Sequence, residues 1–390
     1  MDKMTGKMHL WVNEPVEQDG MTTAGITIEG FLTKDFRLWY RFPEKYRPAL
    51  TNGADPFVLA MIFSAMLSGK DMHVHGQVSP SLLRNLDEFQ SAWVSWRPYQ
   101  YTKIEITADS VHEQQNAGTD SAISAFSGGV DSAFTALCHT KGKHGGGNRN
   151  LKACLMVHGF DIDLFRLEVF QRSFEKSKRM LDSIGMDLIA VTTNFQDMRN
   201  PWWDAHGAAL ASALMLFQGG FTAGIVPSTE PYDGLVLPWG SNPVTDWMMS
   251  SETFAIVHYG ASFSRTGKIR ELSEWPEALR DLRVCMVGKD QDRNCNVCEK
   301  CVRTILNFRV LGLPLPGCFD RDVSDFRIMR LSGLTATQEA ELRRILFFAK
   351  KKAIKATWVR ALQICLFKNR QHSRLNTLIR GLKRIPRKHK

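Results

Sequence analysis

Hydrophobic and polar positions alternate in short runs along the first hundred residues. Thr23–Glu29 and Phe36–Phe42, rich in β-branched and aromatic residues, predict strands. Pro56–Ser68 and Ser81–Trp93 place apolar residues three and four apart, which predicts two helices. Tyr101–Ala108 (YTKIEITA) alternates as a half-buried strand does, and the polar stretch Asp109–Asp120 predicts a linker. Together these predict a small α+β domain whose sequence carries no recognisable chemistry. His73 and His75 sit two apart, as two residues on one strand face do, and no metal role is assigned to them.

From Ser121 the rhythm changes. Apolar strand segments (Ala122–Phe126, Leu151–Val157, Leu188–Val191, Thr222–Val226) alternate with helical ones (Ala133–Thr140, Leu164–Ser183, Ala205–Phe217). That order predicts a parallel sheet with helices on both faces. Lys141–Asn150 predicts a flexible loop, and its glycines lack the Lys-Ser/Thr of a Walker loop. A last helix is predicted over Ala336–Lys350, before a basic tail. The expected division is 1–118, 119–315 and 316–390, with no internal repeat.

Composition narrows the class. At 390 residues with 44% hydrophobic and 23% charged positions, disorder and collagen-like architectures are excluded. The best apolar run, Phe57–Leu67, is broken by Ser64 and falls short of the roughly 20 residues a membrane span needs. The first residues lack the apolar core of a secretory signal, so a cytoplasmic protein is expected. The net charge of +10 is local: fourteen Lys or Arg and no acid lie between Lys350 and Lys390, leaving about −4 on the rest. Within that tail Trp358, Leu362, Ile364, Leu366, Phe367, Leu375, Leu378 and Ile379 interleave with the cations. A solvated tail, an anionic membrane surface at the inner face of the membrane, and nucleic acid are the three readings.

The strongest chemical signal is Phe126-Ser127-Gly128-Gly129-Val130-Asp131-Ser132, where the first strand of the α/β region ends. Gly128 and Gly129 let backbone N–H groups approach a phosphate, Ser127 and Ser132 add hydroxyls, and the following helix aims its N-terminus at the anion. Asp131 beside a phosphate requires a divalent cation or a structural hydrogen bond. The bland alternative is an ordinary strand-to-helix turn with Asp and Ser caps.

Four of the eight cysteines, Cys285, Cys295, Cys298 and Cys301, are crowded together. Without a secretion signal, such a cluster reads as a metal site before it reads as disulfides. Four thiolates suit tetrahedral Zn²⁺ in a closed, structural site. A redox pair or simple burial are the alternatives.

The SGGVDS segment resembles the signature of the PP-loop ATP pyrophosphatase superfamily. Its members split ATP between the α and β phosphates and adenylylate a substrate. The resemblance implies that Ser127, Gly128, Gly129, Val130, Asp131 and Ser132 cradle the pyrophosphate part of ATP, with Mg²⁺ nearby. Adding C-x9-C-x2-C-x2-C and Arg303, the chain from Ser121 to Gly312 is similar to the 7-cyano-7-deazaguanine synthase family. That family activates 7-carboxy-7-deazaguanine with ATP and converts the carboxylate through an amide to a nitrile, with ammonia as donor. Looser matches are LMVHGFDIDLFRLEVF, Arg199-Asn200-Pro201, Gly240-Ser241, Asp246, and Lys268 in SRTGKI. The implied fold class is α/β, a parallel-sheet PP-loop (HUP-like) domain with a four-Cys zinc knuckle. A smaller N-terminal α+β domain and a basic helical C-terminal tail complete it. The chain departs from the family's compact single domain by about 120 residues in front and about 75 behind.

A carboxylate is a poor electrophile until adenylylation gives it AMP as leaving group. The enzyme must neutralise charge at the α-phosphate and hold the reactants in line. Asp131, Lys268 and Arg265 are the candidates, with Asp246 as a substrate ligand or a turn cap. His206 and His158 read first as packing or capping residues. The expected cofactors are ATP, Mg²⁺ and Zn²⁺, and the expected partners a small carboxylic acid, ammonia or an amine, and a second copy of the chain. Amidation of another acid (a sugar acid or a protein terminus) and a non-catalytic ATP-binding scaffold are the alternatives. Sulfur transfer is disfavoured, because Cys138 and Cys154 fall in helix and strand contexts that read as burial.

Overall fold

The structure is a computed structural model that describes residues 6–31, 34–114, 120–144, 147–288 and 290–383, with side chains as far as 371. The first part contains β1 (Met8–Gln18), β2 (Met21–Glu29), β3 (Phe36–Pro43), α1 (Asp55–Ser68), β4 (Met72–Val78), α2 (Pro80–Trp96) and β5 (Ile106–Val111). The middle contains β6 (Ala122–Ala125), α3 (Val130–Thr140), β7 (Leu151–His158), α4 (Leu167–Asp182), β8 (Asp187–Thr193), α5 (Trp202–Met215), β9 (Ala223–Pro227) and β10 (Ala255–Tyr259). Six helices follow: α6 (Arg265–Leu272), α7 (Pro276–Asp281), α8 (Glu299–Leu311), α9 (Asp325–Met329), α10 (Ala336–Lys351) and α11 (Thr357–Lys383).

Among the described residues, ten strands form one sheet in the order β10-β9-β6-β7-β8-β3-β2-β1-β4-β5. Five strands, β10 to β8, are parallel. β3 then pairs antiparallel with β8 through Tyr40↔Thr193, β1–β3 form an antiparallel meander, and β4 and β5 return to parallel. The first 118 residues therefore extend the α/β sheet edge to edge. The core is shared as well. α1 is buried from Asp55 to Met66 and packs on α5, and the Tyr40 hydroxyl meets Ser212 Oγ at 2.8 Å. A helix buried on every side carries apolar residues all round, which explains why α1 lacks a polar face.

Strand alternation feeds two cores on opposite faces. Ile123, Ala125, Ala153 and Leu155 join α1, α2 and α5 on one face. Ala122, Phe126, Cys154 and Met156 join α3, α4, α6, α8, α10 and α11 on the other. The chain runs β6→β7→β8 outward, then returns to lay β9 and β10 on the other side of β6. The carboxyl ends of β6 and β9 thus flank the point where strand order reverses, where open α/β sheets bind ligands.

Three expectations are corrected. Tyr101–Ile104 is not strand: Tyr101 is buried against Phe63 and Trp93, and Ile104 N–H donates to Gln90 Oε1, so pairing with β4 begins at Ile106. Asp109 belongs to β5 rather than to a linker, and residues 115–119 lie outside the described ones. In the tail, Trp358, Leu362 and Leu366 are buried in the second core rather than set among the cations at the surface, Phe367 is exposed, and the side chains of Leu375, Leu378 and Ile379 lie outside the described ones. Asn369 anchors the same helix by donating to Leu331 O at 2.8 Å. Residues 384–390 of the basic tail lie outside the described ones. No helix among the described residues is long and apolar enough to cross a membrane.

A candidate anion site at the strand-order reversal

The Ser127–Ser132 loop leaves β6 and enters α3 with Gly128 at φ +73°, a conformation that favours glycine. A Cβ on Gly128 would also stand 2.9 Å from Ser177 Oγ. Ser132 Oγ accepts the Ser127 N–H at 3.2 Å and donates to Gly129 O, which closes the loop on itself. The first turn of α3 leaves its N–H groups without intrahelical partners, as every helix start does. Behind the loop, Arg283 donates its guanidinium to Ser127 O at 3.1 Å.

Four buried cations gather here: Arg265, Lys268, Arg283 and Arg303. Lys268, 1% exposed, reaches Asp131 Oδ1 at 2.9 Å and also donates to Ser228 O. It therefore spans the crevice from the loop after β6 to the residue after β9. Arg265 meets Asp131 Oδ2 at 3.2 Å, and Arg303 pairs with Glu299 at 2.7 Å. Burial alone would raise the Asp131 carboxyl, but Lys268 and then Arg265 hold it below the usual carboxylate range. Burial, and then the like charge of Arg265, lowers the Arg303 guanidinium. Guanidiniums buried side by side are stabilised by an anion between them. Asp161, just after β7, lies within electrostatic reach of Arg283 and Lys300.

Beside Ser228 lies a narrow cleft, closed to a water-sized body in this conformation, lined by Glu230, Leu235, Val236, Leu237, Trp239, Ser241, Asn242 and His258. Asp246, wholly buried, accepts from Ser241 Oγ and from His258 Nδ1, both at 2.8 Å, and from Asn242 N–H at 3.0 Å. The carboxylate places the proton of His258 on Nδ1, and Nε2 is buried without a hydrogen-bond partner. α5 abuts this loop closely: a Cβ on Gly207 would stand 2.0 Å from Gly240 O.

Comparison with protein-family models, with curated proteins and with solved structures gives no match.

Cys285, Cys295, Cys298 and Cys301 bring their sulfurs within 4.8 Å of one another, a group that can hold a metal ion. Cys295 Sγ–Cys301 Sγ is 3.9 Å and Cys298 Sγ–Cys285 Sγ 3.8 Å. A tetrahedron with Zn–S of about 2.3 Å has edges of about 3.8 Å, so these spacings fit that ion and not disulfides. Cys298 N–H points at Cys295 Sγ at 3.2 Å, and Asn296 at φ +61° makes the knuckle turn. Asn294 orders the loop by accepting from the Val284 and Cys285 N–H groups and donating to Leu282 O and Cys318 O.

Asp131, Lys268 and Arg265 thus meet at one point, and the cysteines form a second centre two residues beyond Arg283. Other named residues do different work. Asn200 accepts from Ser64 Oγ of α1 at 2.9 Å, His158 stacks on Phe170, and His206 Nδ1 donates to Trp202 O. Burial pushes the Cys138 thiol up to about 12 and raises Cys154 as well, which fits inert packing. Arg283, Ser228 and His258 went unread in the sequence. A histidine closing the apolar strand AIVHY before Gly260 was the available signal for His258, because strand carboxyl ends carry sites in such sheets.

Proposed function

We propose that this chain is an ATP-dependent carbon–nitrogen ligase that forms AMP and pyrophosphate, in the manner of 7-cyano-7-deazaguanine synthases. The observation that carries this reading is Lys268, buried between Asp131 of the glycine loop and Ser228 of the adjoining cleft. An anion seated on the loop and an acid seated in the cleft would share that cation.

When bound, ATP supplies the activated phosphoryl group that turns a carboxylate oxygen into a leaving group. The chain's own residues do the rest. The loop N–H groups and the start of α3 hold the phosphates. Lys268 and Arg265 offset charge that grows at the reacting phosphorus. His258, fixed by Asp246, would take at Nε2 the proton that ammonia or a neutral amine sheds as its nitrogen bonds to the acyl carbon and AMP leaves. Each oxygen of Asp131 engages a cation, so these residues do not form a Mg²⁺ site by themselves. Magnesium enters only as the counter-ion of ATP. Zinc fits the four cysteines as a closed structural site, with no open position for substrate.

The cleft rim favours a second reading of the acid. Val236, Leu237 and Trp203, which stacks on Trp239 at 5.4 Å, are exposed. An apolar rim of this kind suits an acid presented by a larger molecule, such as a protein terminus.

The test is incubation of the full chain with ATP, Mg²⁺, ammonium and 7-carboxy-7-deazaguanine, with mass spectrometry of AMP, pyrophosphate and product. Amide or nitrile is expected, and none with Asp131→Ala. AMP formed only with a different acid shifts the substrate. ATP binding with no AMP from any of a panel of acids overturns the ligase.

A further inference from the structure

The sheet end built from β1, β4 and β5 has one face on the core and one face open. Met8, Leu10, Met72 and Val74 are buried, so the intervening His9, Trp11, His73 and His75 share the other face. Parallel pairing sets His9 beside His73 and Trp11 beside His75, and the next strand sets Thr107 beside His73. Two residues on, Asp109 reaches both β4 imidazoles: Oδ1 is 2.9 Å from His73 Nε2 and Oδ2 is 3.3 Å from His75 Nδ1. His9 Nδ1 lies 3.0 Å from His75 Nε2.

We propose that His73, His75 and Asp109 form a second metal site for a divalent first-row transition ion such as Zn²⁺, with His9 as the hydrogen-bond partner of the other ring nitrogen of His75. One donor atom from each of His73, His75 and Asp109 lies within 4.8 Å of the others, the compass of a single coordination sphere. The three imidazoles of His9, His73 and His75 pack with ring centroids 4.7 to 5.7 Å apart. Imidazole with carboxylate selects Zn²⁺, Ni²⁺ or Cu²⁺ over Mg²⁺ and Ca²⁺, which take oxygen.

The surroundings are those of a ligand set. Thr107 Oγ1 stands 2.8 Å from His73 Nδ1 and donates to Met72 O, so it accepts the Nδ1–H and leaves Nε2 for the ion. The Trp11 ring lies flat on His75 at 3.4 Å, which holds that imidazole's plane. His73 and His75 are about a quarter and a fifth exposed, so an ion can enter from solvent without unfolding. This site is remote in sequence from the four cysteines, differs from them in donor chemistry, and does not depend on the ligase reading.

Elemental analysis of the full chain, dialysed with a small excess of Zn²⁺, is compared between the wild type and His73→Ala/His75→Ala. The wild type is expected to hold one equivalent more than the double variant. Co²⁺ loading separates the centres, because only the cysteine group contributes a sulfur-to-metal charge-transfer band. The band should persist in the variant while ligand-field absorption falls. Asp109→Asn and Thr107→Val keep the side-chain volume and serve if the double variant is poorly folded; Thr107→Val should weaken Zn²⁺ binding about 10- to 100-fold. Equal metal content in the wild type and the folded variants overturns the site.

Discussion

Arg283 donates its backbone N–H to the Gly128 carbonyl at 2.8 Å, and its guanidinium holds the neighbouring Ser127 carbonyl. The same guanidinium donates to Gln291 O, inside the loop that carries the cysteines. One buried side chain therefore ties the glycine loop to the cysteine loop. Arg283→Ala leaves two carbonyls without their donor, and a lost buried partner costs about 1–3 kcal/mol per group. The variant should bind ATP at least tenfold more weakly by calorimetry and unfold at lower urea. Unchanged affinity would show that the loop keeps its shape without Arg283.

Metal removal should reach the glycine loop by the same path. Cys285 follows Arg283 by two residues, and its N–H rests on Asn294. Chelation of the protein is expected to lower Tm by several degrees and to weaken ATP binding in step with metal loss, because structural zinc contributes folding free energy. An ATP affinity independent of metal content would separate the two centres.

Lys268 is buried and its partner Asp131 is 16% exposed, so removing one of the pair should approach the cost of breaking a fully buried pair, about 3–5 kcal/mol. Lys268→Met and Asp131→Asn should each destabilise the fold in urea and each abolish pyrophosphate release. The double variant should lose less stability than the two single losses added together. Strict additivity would mean that the ion pair contributes nothing by itself.

How much of this was legible depended on whether the deciding contacts were local. Ala122–Phe126 and Ala133–Thr140 were read within a few residues, because apolar runs bounded by glycine mark strand and helix directly. β1 was missed: its later half carries Glu14 and Glu17 on exposed positions and shows little hydrophobic alternation. The edge pairing of β3 with β8 joins residues some 150 apart, which no local pattern encodes. Trp358 and Leu362 show the limit from the other side. Their spacing reveals an apolar helix face, and it is α9 and α10, packed against α11, that decide that this face is core. In the site, SGGVDS and the cysteine spacing were visible because each is contiguous. Arg283 was not, since its function lies in two carbonyls 155 and 156 positions earlier in the chain.

Asp55, in the first turn of α1, has no exposure, and burial lifts its carboxyl from 3.8 to about 6 despite two hydrogen bonds from Ser79. Between those values the folded chain keeps a proton that the unfolded chain releases. The stability this group contributes is therefore complete below pH 3.8 and is lost as pH rises through about 6. Asp55→Asn keeps the shape and removes the titration. Relative to the wild type, the variant should gain up to about 3 kcal/mol between pH 4 and pH 7 in urea denaturation. Parallel stability curves would place the Asp55 carboxyl at its ordinary value.

Within the proposed reaction, His258 offers a way to split activation from nitrogen transfer. Its Nδ1–H is committed to Asp246, its Nε2 is buried without a hydrogen-bond partner, and the residue lines the cleft rather than the glycine loop. His258→Asn should leave acid-dependent exchange of pyrophosphate into ATP near the wild-type rate. Amide formation from ammonium should fall about 10²- to 10⁴-fold, the range of a lost general base. The residual rate should then climb with pH, as free ammonia replaces ammonium. A merely structural role would depress exchange and amide formation together and leave the pH profile of amide formation unchanged in shape. That joint loss would remove His258 from the reaction and leave Lys268 and Arg265 as the residues to test at the crevice.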